Sequence, residues 1–295
     1  MYAQIVVNQR RTALLMAIFF LVIIGLGYVF ARIYDSNAIL IWAVGISVAM
    51  SWMSYFNSDK LALATSRARA LRPNDSLEER KIQHLVENLS ITAGVPLPKI
   101  YIIDDSAPNA FATGRDPKHA SIALTRGLIE KLNKVEIEGV IAHELSHVRN
   151  WDILLSTVSI TLVGIVTLLA DWFMRVRISQ NDHDRNSGNA LVIIGIILAV
   201  LAPIFARLLQ LAISRKREFL ADASGAMLTR YPEGLASALE KIAAYPTGMR
   251  VANRATAHLF IANPFPKLAN KISYLYSTHP PVEERVRFLR EMTLG

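Results

Sequence analysis

Four stretches of this chain carry almost nothing but apolar side chains, and they limit what it can fold into. They run over Thr12–Phe30, Ala38–Phe56, Ile153–Ala170 and Ala190–Ala206, the last continuing past Arg207 through Leu208 to Ile213. An uncharged run of about 18 or more residues is long enough to cross a bilayer as a helix, the form in which the backbone satisfies its own hydrogen bonds without water. The first two runs meet that length fully. The third and fourth are slightly short and are flanked by Asp171, Arg175 and Arg177, so a buried or half-inserted hairpin is the alternative there. Hydrophobic residues make up 52 % of the chain and mean hydropathy is +0.31, above the usual range for a soluble domain. The expected fold is a mainly α membrane protein with about four transmembrane helices. One hairpin would occupy 1–56 and a second 153–213, leaving soluble parts at 57–152 and 214–295.

Lys and Arg placement sets the orientation. Arg10 and Arg11 precede the first run, Lys60, Arg67, Arg69 and Arg72 follow the second, Arg149 precedes the third, and Arg215, Lys216 and Arg217 follow the fourth. With four spans all of these fall on one side, so both termini and both soluble parts are expected in the cytoplasm of a cell whose cytoplasmic membrane holds the protein. The formal charge of +8 suits a surface facing anionic lipid. The basic residues hug the spans and no nucleic-acid motif accompanies them, so the bilayer and not nucleic acid is the expected partner. The first run is longer than a signal-peptide core and reads as a signal anchor. The chain has no cysteine, which leaves only histidine and carboxylate to hold a metal.

Such a metal site is written at His143-Glu144-Leu145-Ser146-His147. Residues four apart share a helical face, so His143 and His147 can grip one ion while Glu144 stands beside them to handle a water. Asn133 and Glu136 form a capping-box pair, and Ile137, Val140, Ile141, Leu145 and Val148 make an apolar stripe, which predicts a helix from before Glu136 to about Arg149. A catalytic zinc takes three protein ligands and a water. The class that supplies a third histidine six residues on is excluded, because Asn150 and Ile153 stand at its glycine and histidine positions. The remaining candidate is Glu218 in Arg217-Glu218-Phe219-Leu220-Ala221-Asp222. Asp222, one turn on, would accept a hydrogen bond from a ligand histidine and fix its tautomer. The expectation is one zinc per chain on His143, His147 and Glu218, with Glu144 as general base.

The soluble parts read as a zincin-like α+β protease domain. Ser76 with Glu79 makes a second capping-box pair and opens a helix over 77–93, stopped by Gly94 and Pro96. Strands are expected at 99–103, 109–114 and 120–125, with a turn at Arg115-Asp116-Pro117, and the part at 214–295 reads as helical. His84, His119, His183 and His258 fall in no ligand pattern and read as structural or solvated.

Together these segments resemble the HtpX-type membrane zinc metalloproteases, relatives of the CAAX prenyl endopeptidases. The resemblance is carried by Asn109-Ala110-Phe111-Ala112-Thr113-Gly114, by the motifs at 143–147 and 217–222, by Thr278-His279-Pro280-Pro281 with Arg285, and by the span layout. It implies a zinc endopeptidase that clears damaged or misfolded membrane proteins. It further implies a substrate strand at Asn109, Ala110, Phe111 and Ala112, where an extended peptide would add to a sheet edge; for Phe111 the alternative is core packing. His279 would donate to the developing oxyanion, occupy the open metal position in a closed state, or simply start the last helix. Arg285 would partner an acidic group behind the ligands or lie on the surface. Arg149 and Trp151 are bulkier than the family pattern leads one to expect just after the second histidine. Two other functions stay open: processing of prenylated proteins, and a metal-binding scaffold without turnover, against which the intact Glu144 argues.

Overall fold

A computed structural model describes residues 2–33, 35–74, 76–159, 215–252, 256–265 and 280–292. The third apolar run is described only over residues 153–159, and the fourth lies outside the described residues, as do His183 and His279. Two long helices open the chain, α1 at Tyr2–Ile33 and α2 at Asn37–Thr65. They pack against each other as a hairpin. Gly27 faces Ala43 so closely that a Cβ there would collide with the Ala43 methyl, which is why the helix tolerates a residue of poor helix propensity. The windows Ile5–Gly25 and Leu40–Asn57 are long and apolar enough to cross a membrane. Leu21, Ile41, Trp42 and Trp52 are exposed on their outer faces, an apolar surface that water does not favour. α2 runs on to Thr65, beyond the boundary expected at residue 56, and brings Ala62 and Leu63 into a core with Ile103 and Phe111.

A four-stranded mixed sheet follows in the order β1-β2-β4-β3, built from β1 (Ala68–Ala70), β2 (Lys99–Ile103), β3 (Ala110–Gly114) and β4 (Ala120–Thr125). β2 and β4 are parallel, with Tyr101 opposite Ala123; β3 runs antiparallel to β4 at the edge, with Ala112 opposite Ile122. The three-residue β1 gave no readable alternation. Helix α3 (Leu77–Ala93) ends at Gly94 in the left-handed region, φ 67°. The Ser76 hydroxyl caps it by accepting from the Glu79 amide, but the Glu79 side chain does not close the expected box. The Glu79 carboxylate turns instead to the Arg69 guanidinium and the Arg72 amide, which offer it charge-assisted bonds. The turn expected at 115–117 closes with a 3₁₀ turn at Pro117–His119.

Helix α4 (Arg126–Lys131) leads to α5 (Lys134–Arg149), the helix of the histidine motif, which packs across β3. α6 (Arg215–Thr229) and α7 (Pro232–Ala243) pack on α5, and α8 (Val282–Glu291) closes the far side against α6 and α7. One core fills the space between the sheet and these helices, with Ile122, Leu124, Ile141, Leu145, Leu239 and Leu289 at its centre. A second core lies on the sheet's other face around Ile103, Phe111, Ala123 and Phe260. A third joins α1 to residues 152–159, which are helical, through Phe19, Leu154 and Val158. The sheet thus holds α5 rigidly, and α6 is pressed against the face that carries the histidines.

Candidate metal centre

α5 begins with a complete capping box. The Asn133 side chain accepts from the Glu136 amide at 3.0 Å, and the Glu136 carboxylate accepts from the Asn133 amide at 2.9 Å. Lys241 and Ser237 on α7 bond the same carboxylate, which ties the helix start to its neighbour. Three turns on, His143 and His147 project together, with 3.1 Å between their Nε2 atoms. Glu218 on α6 reaches them, its carboxylate oxygens 3.9 Å from His143 Nε2 and 3.6 Å from His147 Nε2. One ligand atom from each of the three lies within 4.8 Å of the others. Close approach of the helices makes this possible. A Cβ on Gly225 of α6 would lie 2.9 Å from the His143 backbone nitrogen, so only glycine lets α6 bring Glu218 this near.

Each histidine has a carboxylate behind it. His143 Nδ1 is 2.9 Å from Asp222 Oδ1, and His147 Nδ1 is 3.0 Å from Asp152 Oδ2. With an ion bound, each Nδ1 would carry the proton toward its carboxylate, and each Nε2 would turn its lone pair to the ion beside Glu218. Two ligand nitrogens at about 2.0–2.1 Å from a tetrahedral ion are roughly 3.3 Å apart. The 3.1 Å spacing, the fixed tautomers and the third, anionic donor thus fit a zinc-sized ion.

The sequence pointed to Asp222 but not to Asp152. α5 ends at Asn150, and Trp151 adopts φ 61°, a left-handed turn that is costly for a bulky residue. That turn swings Asp152 back toward His147. It also sends the Trp151 side chain to the α1 cluster, while Arg149 is exposed, so neither bulky residue crowds the ligands. Asp152 is held in turn by Asn8 of α1, whose amide donates to Asp152 Oδ1 at 2.7 Å and to the Asn150 carbonyl at 2.9 Å. Arg217 donates to Asn8 Oδ1 at 3.0 Å. A fully buried asparagine near the start of an apolar helix is therefore part of the support for a ligand 139 residues away in sequence, from Asn8 to His147.

Arg285 is fully buried and grips Asp222 with two parallel bonds, Nε to Oδ2 at 2.8 Å and Nη2 to Oδ1 at 2.6 Å. Its Nη1 donates to the Ile261 carbonyl at 2.8 Å. Burial alone would raise the Asp222 carboxyl, but the Arg285 charge and hydrogen bonds hold it below the usual carboxylate range. Burial pushes His143 down to about 4 against the pull of Asp222, so its ring is neutral and ready to ligate at pH 7. Burial also disfavours charge on His147, but the Asp152 hydrogen bond and the Glu218, Asp152 and Glu144 charges hold it up to about 9. This excess of negative charge at His147 is the electrostatic field a dication would neutralise.

Ala112, Glu144, Ser156, His258 and Ile261 line the cavity next to the ligand trio. Glu144 is buried there, beside the ligands as the motif predicts. Of the four residues of the expected substrate strand, only Ala112 lines this cavity. Asn109 and Ala110 are engaged by the chain itself: the Asn109 amide donates to the Ala262 carbonyl at 3.0 Å, and the Ala110 carbonyl accepts from Ile261 at 2.9 Å. Phe111 is fully buried and meets Phe260 edge to face at 5.1 Å, the core alternative. His84 and His119 are exposed, with Glu87 and Asp116 as neighbours. His258, by contrast, is a buried cavity wall that no spacing rule foretold. The role expected of His279 falls outside the described residues.

The family model for peptidase family M48 matches residues 76–293, which include every one of these site residues except Asn8. The chain belongs to peptidase family M48. Membership makes it a metallopeptidase. Curated relatives span its whole length. The chain is 45 % identical to a protease HtpX homologue of Caldanaerobacter subterraneus subsp. tengcongensis, over 97 % of this chain and 96 % of that one. It is 45 % identical to one of Tropheryma whipplei, over 99 % and 98 %, and 41 % identical to one of Lactobacillus acidophilus, over 99 % and 100 %. Among solved structures, Ste24p of S. mikatae is similar in fold at TM-score 0.53 and 18 % identity, over 97 % of this chain and 67 % of that one. The M48 match and the HtpX relatives agree with the resemblance carried by the motifs.

Proposed function

We propose that the chain is a zinc endopeptidase of the cytoplasmic membrane that hydrolyses peptide bonds in damaged or misfolded membrane proteins. The observation that carries this reading is the ligand trio, two Nε2 atoms 3.1 Å apart facing a buried glutamate, with Glu144 beside it. His143, His147 and Glu218 would hold the ion. Zinc, when bound, lowers the pKa of water toward about 7 and polarises the substrate carbonyl. Glu144 accepts the proton as the water oxygen bonds to the carbonyl carbon, and delivers it to the amine nitrogen as the C–N bond breaks. Asp222 and Asp152 keep the ligand rings in one tautomer throughout.

Substrate would enter along β3. Asn109 bonds to Thr125 across the β4 side, so by alternation the peptide groups of Ala110 and Ala112 face the open edge. Ala110 is taken by Ile261, which leaves Ala112, beside Glu144 and the ligands, to hold an extended chain by main-chain bonds. His279 is proposed as a further donor to the substrate carbonyl. Four spans with both soluble parts in the cytoplasm follow from the Lys/Arg asymmetry. Single cysteines introduced into this cysteine-free chain test that: one at Ser76 should resist an impermeant reagent applied from outside and one at Ser187 should react. Labelling at Ser76 would reverse the orientation.

Processing of prenylated proteins is the competing substrate class. Full-length protein purified in detergent, with and without zinc, separates the two on an unfolded membrane protein and a farnesylated peptide. Zinc-dependent cleavage of the unfolded protein at several sites is the expected result. Cleavage confined to the lipidated peptide would replace quality control with prenyl-protein processing, and no zinc-dependent cleavage of either would remove the hydrolytic reading.

A further inference from the structure

His258, Leu259 and Ile261 line the cavity, and the segment 256–262 that bears them is held from several sides. The Leu259 amide donates to the Thr256 carbonyl at 3.0 Å, closing the 3₁₀ turn Ala257–Leu259. The Ile261 amide pairs with Ala110 of β3 at 2.9 Å, and Arg285 bonds the Ile261 carbonyl at 2.8 Å. The Asn109 side chain clamps Ala262, donating to its carbonyl at 3.0 Å. The Phe260 ring is fully buried against Phe111. The clamped turn presents His258, 9 % exposed, to the same cavity as Glu144, the ligand trio and Ala112.

The chemistry of that cavity is one-sided. Glu144, Glu218 and Asp152 offer only acceptors, and the two ligand histidines spend both ring nitrogens on the carboxylates behind them and on the ion site. Among the described lining side chains, His258 and Ser156 alone have donors outside that set. Peptide hydrolysis builds negative charge on the carbonyl oxygen, and a fixed donor stabilises it more than one that must be reoriented. A serine hydroxyl rotates freely. The imidazole of His258 stands on a turn locked to β3, Asn109 and Arg285. It lies outside the group of ligand atoms that converge within 4.8 Å, so it is placed for substrate and not for the ion.

We propose that His258 is a catalytic residue that donates an N–H to the carbonyl oxygen of the scissile peptide. Asn109 and Arg285 then act as positioning residues, through the segment that bears it. This rests on the hydrolytic reading above, and deepens it by assigning this segment of the cavity lining a part in the reaction.

The test uses full-length, detergent-purified, zinc-loaded protein and two peptide inhibitors. One is phosphinic, with an oxyanion-like oxygen; the other is a reduced-amide isostere with no carbonyl oxygen. For His258→Ala the expected result is unchanged zinc content, KM within about a factor of two, and kcat down about a hundred- to a thousand-fold. Affinity for the phosphinic peptide should fall by the same order, and affinity for the reduced amide should hold. His258→Gln keeps an N–H donor and should recover part of both losses; it also serves if the alanine variant does not fold. Equal loss of both inhibitors in either variant, loss of zinc, or a wild-type kcat in His258→Ala would overturn the assignment. Wild-type protein without zinc-dependent cleavage would instead sink the hydrolytic reading beneath it, so the two failures are distinct.

Discussion

Glu144→Gln should leave the protein folded and metal-loaded while removing most of its turnover. Glu144 is buried in the cavity next to His143 and His147 but is not one of the three converging ligands. Glutamine has the same shape and keeps a carbonyl acceptor, so the fold and the ligand geometry have no reason to change. What it loses is the capacity to take a proton from water and pass it to the leaving nitrogen. General acid–base catalysis of this kind contributes about 10²- to 10⁴-fold, and the drop should appear in kcat with KM nearly constant. Glu218→Ala should behave differently, because it removes a converging donor from α6 and should abolish metal and turnover together. Steady-state cleavage by the two variants checks the contrast. A Glu144→Gln protein that cleaves at the wild-type rate would remove the proposed base.

Arg285→Ala should destabilise the fold by about 3–5 kcal/mol, because it strands a buried charge. Arg285 and Asp222 are both fully buried, joined by two short parallel bonds, and Asp222 stays ionised chiefly because the Arg285 charge offsets its burial. Without the guanidinium the Asp222 carboxyl must take up a proton or remain unpaired, and the Ile261 carbonyl loses its donor. The effect should reach the metal as well, since Asp222 lies 2.9 Å from His143 Nδ1 and would fix its tautomer, and loss of such a partner typically weakens metal binding about 10- to 100-fold. Arg285→Lys keeps a charge but not the fork that reaches Asp222 and Ile261 together, so it should fall between wild type and alanine. Thermal unfolding with and without zinc measures both effects. A melting temperature unchanged in Arg285→Ala would show that the buried pair does not hold this part of the molecule.

The parts of this structure that could be read from the sequence are those governed by local periodicity. The capping box at Asn133 and Glu136, the spacing of His143 from His147, and the spacing of Glu218 from Asp222 each report one helical face. β2 and β4 were legible because apolar, β-branched residues sit between clear turn signals. What escaped notice depends on contacts between distant segments. Asp152 follows the end of α5 and is aimed by the left-handed Trp151, a conformation its sequence does not advertise. Asn8 reads as an ordinary polar residue at a helix start until α1 is laid against residues 150–152. Gly225 reads as a weak point in α6 and proves to be the point of closest approach to His143. Phe111 sits in a strand tied to substrate by resemblance, yet strand alternation turns it into the second core. His258 lies in a short turn with neither helical nor strand period, and only the clamps from Asn109, Ala110 and Arg285 place it in the cavity wall.

The central claim is that α5 and α6 together build one metal site from His143, His147 and Glu218. Zinc content per chain, measured by elemental analysis on full-length protein purified from the membrane, tests it most directly. One zinc is expected for wild type and for Glu144→Gln, and essentially none for His143→Ala, His147→Ala or Glu218→Ala, each checked for retained fold. A Glu218→Ala protein that is folded and still holds a full equivalent of zinc would contradict the two-helix site.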